Sequence, residues 1–428
     1  MLHKKFPFTN PIPHITHHHW PQKLPFFYGW IMLPLAIITM VATGPGQTFI
    51  ISVFNPFWRE SLNLTHSQLT GAYMLGTLIA ATPQPFIGKW MDQWGIRRVI
   101  LLVITGLGLA CLLASQAQNL LMLLLAFIFL RMFGQGALSL LANNILAMWF
   151  RQRLGLVSAL QSIGVSALNG LIPSAILWFT YQYGWRWSYA FLGLTVWLGL
   201  TPLIIIIFRN KPEDIDQLLD GQTILPNLTI NPTPTNDFTL AMARRTPAFW
   251  IMLTATAAWG MIATAVYFNI IPLFTSQGLS EEAATATYAT LSFATIIVQL
   301  LTGFLADRIP LRWLIASGLL SICLAVFSLT QLHSILVGHA YALFMGTGQA
   351  LFGVSGNTLW ARYYGRAHLG RIRSTVWMAV VASSSVGPFF MGFLYDQLNS
   401  YQIPLFLFII ILIPITLAMF WATPPTTT

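Results

Sequence analysis

Twelve long apolar stretches recur along the chain, each able to cross a bilayer core as a helix, which takes about 20 residues. They run over 28–53, 67–88, 98–117, 120–148, 156–180 and 188–208, then 248–274, 282–304, 313–331, 335–361, 373–394 and 402–421. The polar gaps between them are short except for 209–247. That pattern predicts an all-α membrane protein of twelve transmembrane helices, divided by the long gap into two six-helix bundles.

The gaps differ in charge. Of the 21 Lys and Arg residues, eighteen fall before span 1 or in the gaps after spans 2, 4, 6, 8 and 10. Arg59 and Arg186 occupy the alternate gaps, and Arg131 lies within span 4. The excess of basic residues in cytoplasmic loops then predicts a multi-pass protein of the plasma membrane with both termini in the cytoplasm. The net charge of +10 is this bias, so nucleic acid is not an expected partner. Charged residues are 7% of the chain, against roughly 25% in a soluble domain. The start of span 1 is too long, and lacks the small-residue site, for a cleaved signal. Cys111 and Cys323 sit inside spans 3 and 9, where no disulfide is expected. The organisation read from the sequence is an arm over 1–27, a bundle over 28–208, a cytoplasmic linker over 209–247, a second bundle over 248–421 and a tail over 422–428. His14, His17, His18 and His19 belong to the arm and read as part of a tail rather than as a metal site.

The two halves repeat. Gly88 and Gly303 stand 215 positions apart, and the same offset relates Asp92 to Asp307, Arg97 to Arg312, Tyr73 to Tyr288, Leu64 to Leu279 and Pro173 to Pro388. Gln135 and Gln349 are 214 apart. Repeats of this kind mark secondary transporters, which bind substrate near the bilayer midplane between the repeats.

The repeated residues also carry a family likeness. Gly88-Lys-Trp-Met-Asp92-Gln-Trp-Gly95-Ile-Arg97-Arg98 resembles the signature loop between spans 2 and 3 of the major facilitator superfamily, and Gly303-Phe-Leu-Ala-Asp307-Arg308-Ile-Pro310-Leu-Arg312 repeats it between spans 8 and 9. Arg131-Met-Phe-Gly134-Gln135-Gly136 resembles that family's Arg-x-x-x-Gln-Gly pattern. Tyr28-Gly29-Trp30, Arg245-Thr-Pro247-Ala-Phe-Trp250 and Val386-Gly387-Pro388 resemble the monocarboxylate and oxalate–formate transporter branch. The resemblance implies a twelve-helix alternating-access transporter in which spans 1, 4, 7 and 10 line the cavity. Carboxylate-recognising members commonly place a basic residue in span 8 or 11. Here span 8 has none and span 11 has only Arg373 at its edge, which argues against a small dicarboxylate. Pro310 stands where Gly is usual, which predicts a stiffer second turn.

Arg131 follows Asn119 by about 12 residues, hence roughly 18 Å into the membrane. A central Arg costs about 2.5–3.5 kcal/mol on insertion scales, so it must face the protein interior or a wet cavity. It reads either as an anion contact or as a structural Arg bonded to neighbouring carbonyls. Helical spacing places Gln135, Leu138, Ser139 and Ala142 on its face. Gly44-Pro45-Gly46-Gln47-Thr48 interrupts span 1, because Pro removes a backbone donor. Arg131, Gln135, Gln349, Gln47 and Thr48 are therefore the candidate substrate contacts. Asp92, Arg97, Asp307 and Arg312 are the candidate gating residues, each Asp able to hold a helix N-terminus in one state and release it in another. His339 lies shallow in span 10 and reads as a hydrogen-bonded packing residue. The stripes Ser158, Ser162, Ser166, Gly170 and Ala379, Ser383, Gly387 read as close-packing surfaces between the halves.

No acidic residue falls in the middle of a span, so a proton relay lacks its usual buried carboxylate. There is no Gly-rich Lys-Ser/Thr nucleotide motif and no catalytic constellation, so neither an enzyme nor an ATP-driven pump is expected, and no cofactor or metal. The expected function is ion-coupled or exchange transport of a small organic anion such as a monocarboxylate, by a monomer surrounded by membrane lipid. An exporter of neutral or amphipathic compounds and a non-transporting sensor are the alternatives. If Asp92 acts on a gate, Asp92→Asn slows flux more than it weakens binding; equal losses in flux and binding assays would contradict the gating role.

Overall fold

The computed structural model describes residues 26–150, 153–221, 238–305, 308–365 and 369–425. Among them are ten helical stretches long and apolar enough to cross a membrane. One of these, Leu156–Ile206, reverses at Gly184 (φ 81°, ψ 159°) and supplies spans 5 and 6. Span 2 falls outside the ten because it is broken into His66–Ala81 and Gln84–Trp94. The twelve-helix reading of the sequence therefore stands. Span 1 is Gly29–Val41 and Thr48–Leu62, and span 3 is Ile96–Ser115. Span 4 runs from Leu120 to Trp149 through a π-helical segment at Arg131–Leu138. The second half consists of Pro247–Phe268 with Ile270–Thr275, Glu281–Leu305, Leu311–Thr330, Ile335–Tyr364, Leu369–Leu398 and Gln402–Ala418.

Helix ends are fixed by local chemistry. Thr65 and Gln68 form a reciprocal capping box at the start of span 2. The Asn119 side chain accepts from Met122 N at 2.9 Å to start span 4. The repeat is also written in the turns. Asn63 (φ 50°) and Gly278 (φ 75°) both end a helix in the left-handed region, and Gly184 and Asn399 (φ 50°) form the equivalent pair. The signature motif is less of a loop than its resemblance implies: helix continues to Trp94, and the turn reduces to Gly95 at φ 80°. Pro310 holds φ at −55° instead, so the second copy turns differently.

The starts and ends of the spans define two faces. On the face where span 1 begins and span 12 ends, here the proximal face, Tyr28 donates to Ile207 O at 2.6 Å, and its backbone N donates to Gln217 Oε1 at 2.9 Å. Its ring lies 5.6 Å from Trp149. The Tyr28-Gly29-Trp30 motif thus ties span 1 to spans 4 and 6. In the second half Thr246 and Tyr364 share a hydrogen bond of 2.9 Å, and Tyr363 donates to Ala422 O at 3.0 Å.

On the opposite, distal face the two halves meet. Tyr73 packs its ring 4.4 Å from Phe268, Ser52 and Tyr288 hydroxyls lie 3.4 Å apart, and Asn55 Nδ2 donates to Phe268 O. Gly170 touches Ser292 so closely that a Cβ there would lie 2.8 Å from the serine Cβ, which places the span 5 stripe between the halves as expected. Gly387 behaves otherwise. Its missing Cβ leaves room for Met261 O, which would be only 2.2 Å away, so the span 11 stripe packs within the second half at this point. Cys111 and Cys323 are buried and free.

Gly387→Ala forces two backbones apart and is expected to destabilise by about 1–3 kcal/mol, the usual range for overpacking. Gly199→Ala, with nothing within 4 Å of its Cβ, is the control. Thermal unfolding of the purified variants should show a lower midpoint for the first alone.

Candidate functional site

The break in span 1 determines the local architecture. Gly44–Gly46 forms a single 3-10 turn, Gln47 is extended (φ −85°, ψ 145°), and helix resumes at Thr48. A backbone group released from a helix at mid-membrane has no water to bond and needs a protein partner. Arg131 supplies it: Nη1 donates to Gly46 O at 3.0 Å and to Thr48 Oγ1 at 3.3 Å, and Nε donates to Thr77 Oγ1 at 3.1 Å. The guanidinium lies 4.9 Å from the centroid of the Tyr73 ring, and Tyr73 OH shares a 2.8 Å hydrogen bond with Thr48. Arg131 is 3% exposed. Its charge is balanced by a carbonyl dipole, two hydroxyls and a ring face, with no carboxylate among these partners.

Two glycines make the approach possible. A Cβ on Gly46 would lie 2.1 Å from Leu130 O, and one on Gly134 would lie 2.9 Å from Gly46 Cα. The broken turn rests directly on span 4 where span 4 is itself π-helical, an arrangement frequent at functional sites. The π-helical winding moves residues off the simple i, i+4 face: Ser139 Oγ reaches back five residues to Gly134 O.

A second feature lies between the halves. A small, partly open cavity of about 90 Å³ is lined by Phe49, Ser166 and Asn169 from the first half, and by Tyr267, Tyr288, Leu291, Ser292, Thr295 and Gln349 from the second. None of these side chains carries a formal charge. Tyr267 OH donates to Gln349 Oε1 at 2.6 Å, and Tyr288 OH donates to Tyr267 O at 3.3 Å. Asn169 Oδ1 is buried without a hydrogen-bond partner, so this wall presents an unused acceptor. The cavity is smaller than the usual small-molecule site, but rings with a few polar groups are the usual lining of one.

The five sequence candidates are therefore distributed over several places. Arg131 and Thr48 share one hydrogen-bonded cluster. Gln47 Nε2 instead bonds Thr43 Oγ1 at 2.9 Å and Ser139 Oγ at 3.3 Å. Gln135 is half-buried, with Oε1 lacking a partner, and Gln349 alone lines the cavity. Of the gating candidates, Asp307 and the Asp92 side chain lie outside the described residues. Arg97 caps the end of span 6, donating to Ile204 O at 3.3 Å and to Ile205 O, while its backbone N donates to Asn210 Oδ1 at 2.9 Å. Arg312 Nε is buried without a hydrogen-bond partner. His339 Nδ1 pairs with Thr290 Oγ1 at 2.9 Å.

Tyr288 and Ser166 were visible in the sequence, as a repeat partner and as part of a small-residue stripe. Tyr267, Asn169, Ser292 and Thr295 carry no spacing signal, because a cavity lining is assembled from five helices. Arg131→Ala is expected to leave Gly46 O unbonded, a loss of about 1–3 kcal/mol or more. It should lower the unfolding midpoint as well as abolish transport. A variant with wild-type thermal stability would contradict the clamp.

Comparison with known proteins agrees with the fold. The chain resembles a solved bacterial homologue of the human lysosomal transporter Spinster, described as inward-facing and unoccupied, with a TM-score of 0.71 at 16% identity over 92% of this chain and 97% of that one. An uncharacterised MFS-type transporter of Escherichia coli K12, YhjX, is 27% identical over 65% of this chain and 66% of its own length. Human monocarboxylate transporter 7 is 24% identical over 67% of this chain and 64% of its own length. The chain thus spans just under two thirds of either relative. The oxalate:formate antiporter of Oxalobacter formigenes is 23% identical over 78% of this chain and 80% of its own length. The Major Facilitator Superfamily profile matches residues 35–342 and again 270–428, nearly the whole described chain, and this protein belongs to that superfamily.

Proposed function

We propose that this transporter moves a small organic anion carrying one carboxylate, by alternating access around the cavity between its halves. The carrying observation is the cavity's lining: hydrogen-bonding groups with no formal charge, backed at one remove by a single fixed cation. Phe49 lines the cavity, its chain neighbour Thr48 bonds Arg131, and the Arg131 guanidinium is committed to Gly46 O, Thr48 and Thr77. The positive charge therefore acts through the wall as a field rather than as a ligand. Tyr, Ser, Thr, Asn and Gln groups supply donors for one carboxylate and acceptors for a substrate hydroxyl. A second carboxylate would lack a cation and carry a heavy desolvation penalty.

The names of the relatives point the same way, two of them including a monocarboxylate transporter and an oxalate:formate antiporter. The excess of basic residues in the gaps supports a cytoplasmic proximal face, in a protein of the plasma membrane. Transport is ion-coupled or driven by exchange, and the monomer holds a complete cavity.

A thermal-shift screen followed by flux into liposomes tests this reading. A ligand at 100 times its dissociation constant adds about 2.7 kcal/mol of apparent stability. Monocarboxylates should stabilise the protein and be transported, and Tyr267→Phe, which releases Gln349, should weaken binding about fivefold to tenfold. Stabilisation by neutral compounds alone would instead favour an exporter of neutral or amphipathic molecules. Binding without flux would favour a sensor.

A further inference from the structure

The 215-residue repeat reappears at the distal rim in two contacts that bridge the halves. Tyr181, at the end of span 5, donates to Glu281 Oε2 at the start of span 8, at 2.8 Å. Adding or subtracting the repeat offset turns Tyr181 into Asp396 and Glu281 into His66. Those two positions also meet across the halves. Ser67 N, beside His66, donates to Asp396 Oδ2 at 2.7 Å, so an acid at the end of span 11 caps the first turn of span 2. The carboxylate has changed sides between the copies, yet each copy keeps one.

The rest of the second contact is tightly built. The His66 ring lies edge-on to Tyr395 at 4.6 Å and to Tyr401 at 6.1 Å, while the two tyrosines stack at 4.2 Å. Tyr401 OH and His66 Nδ1 are 3.5 Å apart. A Cβ on Gly392 would lie 2.7 Å from Thr70 Oγ1, so the two helices touch without an intervening side chain.

We propose that Asp396–Ser67 and Glu281–Tyr181 are the paired latches of the distal gate, and that both must break for the cavity to open on that face. The assignment rests on the alternating-access reading. It is separate from the first signature motif, whose turn at Gly95 lies on the proximal face. Each latch joins a helix end of one half to a helix start of the other, so a rocking motion between the halves pulls both apart together.

Distances between spin labels at Tyr183→Cys and Leu336→Cys, on the distal rim of opposite halves, test this in a background whose own cysteines are buried. Wild-type protein near neutral pH should show the short, closed distance. Asp396→Ala and Tyr181→Phe should each raise the open-to-closed ratio about fivefold to tenfold, and the double variant more than either. Tyr181→Phe removes one hydroxyl from a half-exposed ring and should fold normally, so it decides the question even if Asp396→Ala does not fold. Distances in Tyr181→Phe that superimpose on wild type would overturn the latches. Such a result alongside intact monocarboxylate flux leaves the transport reading standing. A gate that opens in the variants while no substrate moves keeps the latches and removes that reading.

Discussion

A carbonyl released at mid-membrane must be bonded by something, and the Gly46 carbonyl is bonded by Arg131. Much of the first half is arranged around that requirement. Pro45 and its flanking glycines break span 1, Gly134 lets the broken turn rest on span 4, and the guanidinium spans the junction to Thr48 and Thr77. The expense of placing a cation at this depth is offset by oriented oxygens and the Tyr73 ring. The cation is a structural part first. Any field it exerts on substrate is a consequence of where that part must sit.

On the proposed function, charge and recognition are separated in space. The cavity wall is assembled from helices of both halves and uses neutral hydroxyls, amides and phenols. Such groups are cheaper to bury than ions, and they can exchange water for substrate without stranding a charge when the halves rock apart. Closure on the distal face falls to short contacts between helix ends and starts, where the polar partners lie near the membrane surface. The second half shows how far the repeat has diverged. The position 215 residues beyond Arg131 is Gly346, whose missing Cβ accommodates Leu291 O. The guanidinium clamp thus has no counterpart there.

The fold was almost wholly legible in the sequence, because crossing a bilayer imposes a length and an apolarity that the chain displays directly. The repeat was legible for a similar reason: Gly88, Asp92, Arg97 and their partners recur as residue types at one offset. Details of winding were less so. The segment at Arg131–Leu138 is π-helical where it packs on the Gly46 turn, so Gln135 and Ser139 depart from the simple i, i+4 face of Arg131. Sequence spacing also grouped Gln47, Thr48, Arg131, Gln135 and Gln349 as one site, whereas tertiary packing distributes them among a clamp, a helix–helix contact and a cavity. Tyr267 and Asn169 were invisible, since lining a cavity is a property of position in three dimensions. Gly387 was read as an interface between halves, but its close neighbour is Met261 on span 7. Spacing identifies a packing surface without naming the partner.

The most direct test of this account is a structure of the protein with a transported monocarboxylate bound. The predicted result places the carboxylate among Tyr267, Tyr288, Ser292 and Gln349, with Arg131 still donating to Gly46 O and Thr77. A carboxylate seated on the Arg131 guanidinium, with the Gly46 contact broken, would contradict it and make the buried cation the binding residue.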